Sequence, residues 1–329
     1  MEIFRETNFD FLGKARLFII LSLVLTAAGF VSLFFKGGPR YGIDFKGGSL
    51  IRLRFNGPPP IDKIRTAVSR DVQGEITVQS FTDAASANEV AIGTELKDER
   101  SLDTSQKAIL VTLENTFGKN AFEVRSREVV GPKVGADLRT QAIMATLYAL
   151  GGMLVYIAFR FEWIYGAAAV VAVFHDTIIT IGLFSIFNKE ISLTVIAALL
   201  TLVGYSMNDT IVIFDRIREN LKILRRESLA SLMNRSVNQT LSRTVLTSGL
   251  TFLTCISLFL FGGAVLHGFS FALVVGIIVG TYSSVFIASP IVLYWQNYRE
   301  GSKPAAPAPA AKPAAQRAPA GKKAPKATR

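Results

Sequence analysis

Six long apolar runs dominate this sequence and leave it few options. They cover residues 17–35, 138–159, 163–187, 191–214, 243–261 and 268–295. At 1.5 Å of rise per residue, each is long enough to cross a hydrocarbon core about 30 Å thick. Backbone N–H and C=O groups find no water there, so each run is expected to be a helix. Half of the 329 residues are apolar, too large a share for one ordinary soluble domain. The expected fold is an α-helical polytopic membrane protein with six transmembrane helices. One extramembrane domain, residues 38–136, falls between helices one and two.

The charges orient this bundle. The net charge is +11, but residues 301–329 contribute seven Lys/Arg and no acid. The Ala/Pro/Lys tail, residues 299–329, cannot bury a core and is expected to be disordered. The remaining excess lies beside the apolar runs, as membrane topology requires, so no specific nucleic acid is expected as a partner. Arg5, Lys14 and Arg16 precede the first run, within a short N-terminus of residues 1–16. The linker of residues 215–242, counted from Arg216 to Arg243, carries seven Lys/Arg against Glu219 and Glu227. Six crossings put both termini and this linker on one side, which the positive-inside rule makes cytoplasmic. In the linker, Ile217, Leu221, Leu224, Leu229 and Leu232 repeat at helical spacing among basic residues. That pattern predicts an amphipathic helix lying on the inner membrane surface. The first run is expected to stay as a signal anchor, because its small residues Thr26-Ala-Ala28 lie mid-run, where a cleavage site would not. Cys255 is the only cysteine, so no disulfide within the chain can staple the external domain.

Within residues 38–136, Gly47–Phe55 alternates apolar and polar as a half-buried strand does. Pro58–Pro60 turn the chain into a helix over Ile61–Val72. Glu75–Thr82 and Asn88–Glu95 are strand-like, Ser101–Phe117 has helical spacing, and Ala121–Val130 is a last strand. The order β-α-β-β-α-β predicts an α+β, ferredoxin-like domain. It holds no histidine, cysteine or nucleophile motif, which favours docking or mechanical work over covalent catalysis.

The candidate site lies where the fourth run turns polar. A carboxylate at Asp209, inside an apolar span, costs about 2.5–3.5 kcal/mol on insertion scales, so it needs a use and a partner. Asp209 lies some six residues inside the cytoplasmic end of its span. Arg243 opens span five from the same side, at a depth where the two side chains can meet. Desolvation favours the neutral acid and a guanidinium favours the carboxylate, so the pair suits a proton acceptor. The other possibility is a permanent ion pair that pins two helices. Asn208 and Ser206 are expected to hydrogen-bond to neighbouring helices. His175 and Asp176, mid-way along span three, form either a second polar layer on a proton path or plain interhelical bonding. Gly204, Gly276 and Gly280 are candidate close-packing positions. No GxxxxGK[ST], HExxH or GxSxG motif occurs, and no metal site is expected.

Four segments together carry a family resemblance: Tyr41-Gly-Ile-Asp-Phe-Lys-Gly-Gly48, Gly131-Pro-Lys-Val-Gly135, Phe174-His-Asp-Thr177 and Val203-Gly-Tyr-Ser-Met-Asn-Asp-Thr-Ile-Val-Ile-Phe-Asp-Arg-Ile-Arg-Glu-Asn220. They resemble the SecF-type members of the bacterial SecD/SecF protein-export family, in the resistance-nodulation-division superfamily, over residues 1 to about 298. The resemblance implies a non-enzymatic subunit of the bacterial cytoplasmic (inner) membrane. It implies a SecD-like six-span partner, the SecYEG channel, indirect coupling to the SecA ATPase, and an unfolded secretory polypeptide as cargo. Surrounding lipid is the remaining contact. No cofactor is implied; the proton gradient supplies the energy. By the family motif, Asp209 corresponds to the proton-handling aspartate and Arg243, in Asn238-Gln-Thr-Leu-Ser-Arg-Thr244, to its basic partner. A second essential aspartate belongs to the partner chain. A transporter half for small molecules and a purely structural subunit are the alternatives.

Overall fold

Residues 7–72, 75–81, 88–95, 99–224 and 227–301 are described by a computed structural model. The expected disordered tail lies outside the described residues from residue 302 onward, as do residues 1–6, Arg225 and Arg226.

Each apolar run folds as a helix, and six helices are long and apolar enough to cross a membrane. They begin with α1 (Phe11–Phe35), capped by Asp10, whose carboxylate accepts from the Gly13 N–H at 2.9 Å. After the external segment come α5 (Pro132–Arg160), α6 (Trp163–Ile186), α7 (Leu193–Ile223) and α8 (Leu229–Phe261). The sixth crossing is α9 (Gly263–Ser283), a π-helical turn (Ser284–Ala288) and α10 (Ser289–Gly301) in one line. The spans of α6, α7 and the sixth crossing are the most buried, while α1, α5 and α8 leave most of their surface outward.

The external segment contains α2 (Ile43–Lys46), β1 (Gly48–Phe55), α3 (Ile61–Asp71), β2 (Glu75–Ser80), β3 (Glu89–Glu95), α4 (Glu99–Phe117) and β4 (Phe122–Val130). The strands form one sheet in the order β2-β3-β1-β4, each neighbour antiparallel to the next. Strand alternation sends Ile51, Leu53, Val90 and Ile92 to one face, where they join Ile64 and Val68 of α3 and Ile109 and Leu113 of α4 in a fully buried core. The other face, bearing Leu50, Arg52, Gln79 and Ala91, looks toward the outer loops of the bundle.

A short neck joins the two parts. Phe45 of α2 is buried with Ala142, Phe184, Ile191, Val195 and Phe271 from four spans and the α6–α7 loop. The Gly42 N–H donates to Ile191 O at 2.9 Å and the Ile191 N–H to Arg40 O at 2.7 Å. Leu193 N–H, at the start of α7, donates to Asp44 Oδ2 at 2.8 Å. Gly47 and Gly48 adopt φ of 77° and 141°, and a Cβ on either would collide with the Pro132 or Thr94 backbone. The double glycine therefore lets the neck pass against the first turn of α5.

One expectation is corrected here. The linker of residues 215–242 is not a separate helix on the membrane surface. It extends α7 to Ile223 and starts α8 at Leu229. Ile217 and Leu232 are buried in the bundle core, with Leu221, Leu224 and Leu229 packed against it. The helical spacing is real, but its apolar stripe faces protein. Two antiparallel helix ends can cover each other's stripe and need no lipid to do so.

Candidate functional site

Two buried carboxylates stand on adjacent spans. Asp176 of α6 is 1% exposed. Its Oδ2 accepts from Ser206 Oγ of α7 at 2.6 Å and from Ser283 Oγ of α9 at 2.9 Å, and its Oδ1 meets His175 Nδ1 at 2.9 Å. Gly280 makes room for this layer: a Cβ there would lie 3.0 Å from Ser206 Cβ and 3.5 Å from Asp176 Oδ2. The layer continues along α7, where the Thr210 hydroxyl shares a 2.8 Å hydrogen bond with Ser284 in the π-helical turn. Such turns sit where a helix has accepted an extra residue, frequently at functional positions.

Asp209, 4% exposed, differs. Its Oδ2 accepts from Ser248 Oγ of α8 at 3.0 Å. Among the described residues nothing donates to its other oxygen. Arg243 makes no ion pair with it. The Arg243 side chain is exposed on α8, and only its field reaches Asp209. The reason is helical geometry. Ser248 lies five residues further on, about 140° around the helix at 3.6 residues per turn, so the two cannot share one face.

Of the other residues singled out, Ser206 does bond across helices, and Gly276 packs closely, since a Cβ there would overlap the Leu202 side chain. Gly204 and Asn208 behave otherwise. Both are exposed on α7, and a Cβ on Gly204 would meet nothing within 4 Å. With Thr201 they form a small, polar stripe at i, i+3, i+7 that none of the described helices covers. Sequence reasoning missed Ser248 and Ser283. Hydroxyls in apolar spans were the available signal, but Ser and Thr usually satisfy themselves on their own backbone.

A third acid, half-buried, lies outside the spans. Glu190, in the α6–α7 loop, accepts a hydrogen bond from Gln79 of β2. Burial pushes its carboxyl above the ordinary range, against the pull of Arg40, Lys46 and the Gln79 bond. At the opposite end of the bundle, Asn238 and Asn234 of α8 hold the N-terminal segment: Phe9 N–H donates to Asn238 Oδ1 and Phe11 N–H to Asn234 Oδ1, each at 2.8 Å.

Comparison with known proteins gives a consistent picture. Residues 109–298 match the family described as protein export membrane protein SecD/SecF, C-terminal, and residues 31–59 match the SecD/SecF GG motif. The chain is 44% identical to the protein translocase subunit SecF of Koribacter versatilis, covering 91% of this chain and 94% of the relative. It is 46% identical to that of Calditerrivibrio nitroreducens, over 90% and 96%. Among solved structures it is similar to SecDF of Thermus thermophilus, a translocon-associated membrane protein, with a TM-score of 0.77 and 41% identity. It is similar also to SecDF in a super-membrane-facing form, with a TM-score of 0.65 and 41% identity over 90% of this chain and 40% of that one. The first match covers 89% of this chain but 39% of the Thermus chain, so this chain spans about two fifths of that longer protein.

Proposed function

Because the chain belongs to the SecD/SecF family of protein-export membrane proteins, we propose that it works as the SecF-type half of a proton-driven translocation unit. Its SecD-type partner supplies the other six spans; the solved SecDF chains, which this chain matches over about two fifths of their length, support that division. The site of work is the bacterial inner membrane, with both termini and the α7–α8 turn inside, beside the SecYEG channel. Cargo is an unfolded polypeptide already pushed outward by the SecA ATPase. The external β-α-β-β-α-β module is assigned as ferredoxin-like from its element order and its β2-β3-β1-β4 sheet. No covalent catalysis and no cofactor enter the scheme.

The observation that carries it is the half-satisfied state of Asp209. One oxygen is held by Ser248 and the other is left for water or a proton. Protonation neutralises the carboxylate and cancels the attraction of Arg243; deprotonation restores both. One charge crossing the membrane yields about 2.3 kcal/mol per 100 mV, enough to shift a two-state equilibrium by tens-fold. That suits many small pulls or rectified diffusion of the cargo, and is too little to unfold a stable domain in one step. Asp209 is α7's contribution to a path that the partner completes, and the exposed Thr201-Gly204-Asn208 stripe supplies the face on which the partner's helices can sit close.

The deciding substitution is Asp209→Asn. Co-purification with the six-span partner is expected to be unchanged while proton-dependent stimulation of export in membrane vesicles is lost. Normal export by the variant would sink the proton role, and failed assembly would favour a purely structural subunit.

A further inference from the structure

Four hydroxyls of α8 fall on one inclined ridge: Ser236, Thr240, Thr244 and Ser248, each about one turn from the next. All four are buried. The two ends of the ridge bond to α7. Ser248 Oγ donates to Asp209, and Ser236 Oγ accepts from Asn220 Nδ2 at 2.8 Å. These two bonds fix the antiparallel register of α7 against α8. They set Thr244 level with Ile213, one turn of α7 beyond Asp209 and toward the end of the bundle that holds the N-terminal segment.

Three of these hydroxyls are matched. Ser236 donates to Leu232 O at 2.8 Å and Thr240 to Ser236 O at 3.2 Å, bonds to the helix's own backbone. Ser248 has Asp209. Thr244 is the exception. It is 4% exposed, and its Oγ1 is buried with no hydrogen-bond partner among the described residues. A sealed, unmatched hydroxyl is costly, and valine has the same shape without that cost. Solvent does not reach this oxygen, so a group that uses it must come from the helix interface itself. Asp209, one turn away in that interface, has an oxygen to which nothing among the described residues donates. Thr244 and Ser248 stand about 6 Å apart along the axis of α8, one to either side of that carboxyl's level. A change of rotamer about the Asp209 Cα–Cβ bond swings its oxygens along that direction.

We infer that the Asp209 carboxyl has two seats: the Ser248 hydroxyl, which it occupies here, and the Thr244 hydroxyl, one turn nearer the N-terminal end of the bundle. The inference rests on the proton role proposed above and adds the movement. At Ser248 the carboxylate takes a proton, and one O–H bond forms. The neutral acid turns to Thr244 and carries the proton along the span. There the O–H bond breaks, and the field of Arg243, the residue before Thr244, favours the carboxylate that is left. The bare carboxylate then returns to Ser248. The threonine and serine hydroxyls gain and lose nothing in the cycle.

The test uses the full chain with its six-span partner and the channel in inverted membrane vesicles, importing a preprotein with and without a proton gradient. Thr244→Val keeps the shape and removes the hydroxyl, and Thr244→Ser keeps the hydroxyl. Thr254→Val, at an exposed residue bonded to its own backbone on the same helix, is the control. Gradient-dependent import is expected to fall about tenfold in Thr244→Val, the scale of one hydrogen bond to a charged group, and to stay near wild type in the other two. The unfolding temperature of Thr244→Val is expected to be equal or higher, because an unmatched donor is gone. Wild-type import by Thr244→Val, with Asp209→Asn inactive beside it, would overturn the second seat and leave the export role standing. Gradient-dependent import by Asp209→Asn would overturn both. A less stable Thr244→Val, or a Thr244→Ser as poor as the valine variant, would assign Thr244 to packing and overturn the seat as well. In the infrared difference between wild type and Asp209→Asn, the protonated carboxyl is expected to show two C=O bands, one of them missing from Thr244→Val. A single band common to both chains would overturn the movement.

Discussion

Asp176 and Asp209 are both aspartates on neighbouring spans, both nearly devoid of solvent contact. Asp176 is saturated: two serine hydroxyls and an imidazole, brought by α6, α7 and α9, occupy its oxygens. Asp209 has one hydroxyl and a positive charge that does not touch it. The same residue type thus sits in two environments, which differ in how many donors surround it. A fully bonded carboxylate resists any change of state, because each change breaks several hydrogen bonds at once. A carboxylate with one bond can gain and lose a proton while its neighbours stay in place.

The sharpest break of this comparison is Asp176→Leu. Removing the common acceptor strands Ser206, Ser283 and His175 in the bundle, and removal of one partner from a buried charged network costs about 3–5 kcal/mol. We expect a lower unfolding temperature in detergent and poor recovery of the complex, where Asp209→Asn leaves both near wild type. Equal stability of the two variants would dissolve the distinction. Gly280→Ala should come next, at about 1–3 kcal/mol of overpacking, because its Cβ meets Ser206 beneath the Asp176 layer. Gly204→Ala, with open space at its Cβ, should leave the isolated chain unchanged and weaken only co-purification of the partner.

Arg243 sharpens the other half. Since it acts on Asp209 through space, Arg243→Lys should retain most proton-dependent export and Arg243→Gln should lose it. A dead lysine variant would show that a planar, two-pronged contact forms at some stage of the cycle. The smallest expected effect is at Glu190, whose burial raises its carboxyl above the ordinary range. The sign follows: the docked contact favours the neutral acid, so it is complete at low external pH and weakens as pH rises through the raised value. Spin labels at Lys63 and Phe187, in a Cys255→Ser background, should report a broader distance distribution at higher pH. Glu190→Gln should remove that dependence, and an unchanged dependence would assign it to another group.

Much of the fold was legible in the residues. Length and hydropathy marked the six apolar runs, period-two alternation marked β1 and β2, and β3 and β4 also read as strands. The Gly47-Gly48 and Gly131-Pro132 segments carried the family resemblance, and only the structure showed that they meet at the neck. The interior of the site was less legible. Ile217 and Leu232 read as a lipid-facing stripe because a 3.6-residue period says which residues share a face and is silent about what that face meets. Asn208 looked like an interhelical donor for the same reason, and it faces outward. Arg243 lay at the right depth for Asp209, but depth along an axis does not include rotation about it. That rotation gave the contact to Ser248.

The amino-acid order alone determined that this chain carries six runs long and apolar enough to cross a membrane, that its basic residues gather beside those runs, and that a carboxylate is retained inside the fourth run. These are properties of local transfer free energy and of backbone periodicity, which act residue by residue. Tertiary structure decided which acid is saturated and which is left half-bonded, which stripe of α7 stays uncovered, and that one face of the sheet looks toward the loops of the bundle. Those outcomes depend on how helices rotate and pack against one another, and that is a property of the whole assembly of side chains.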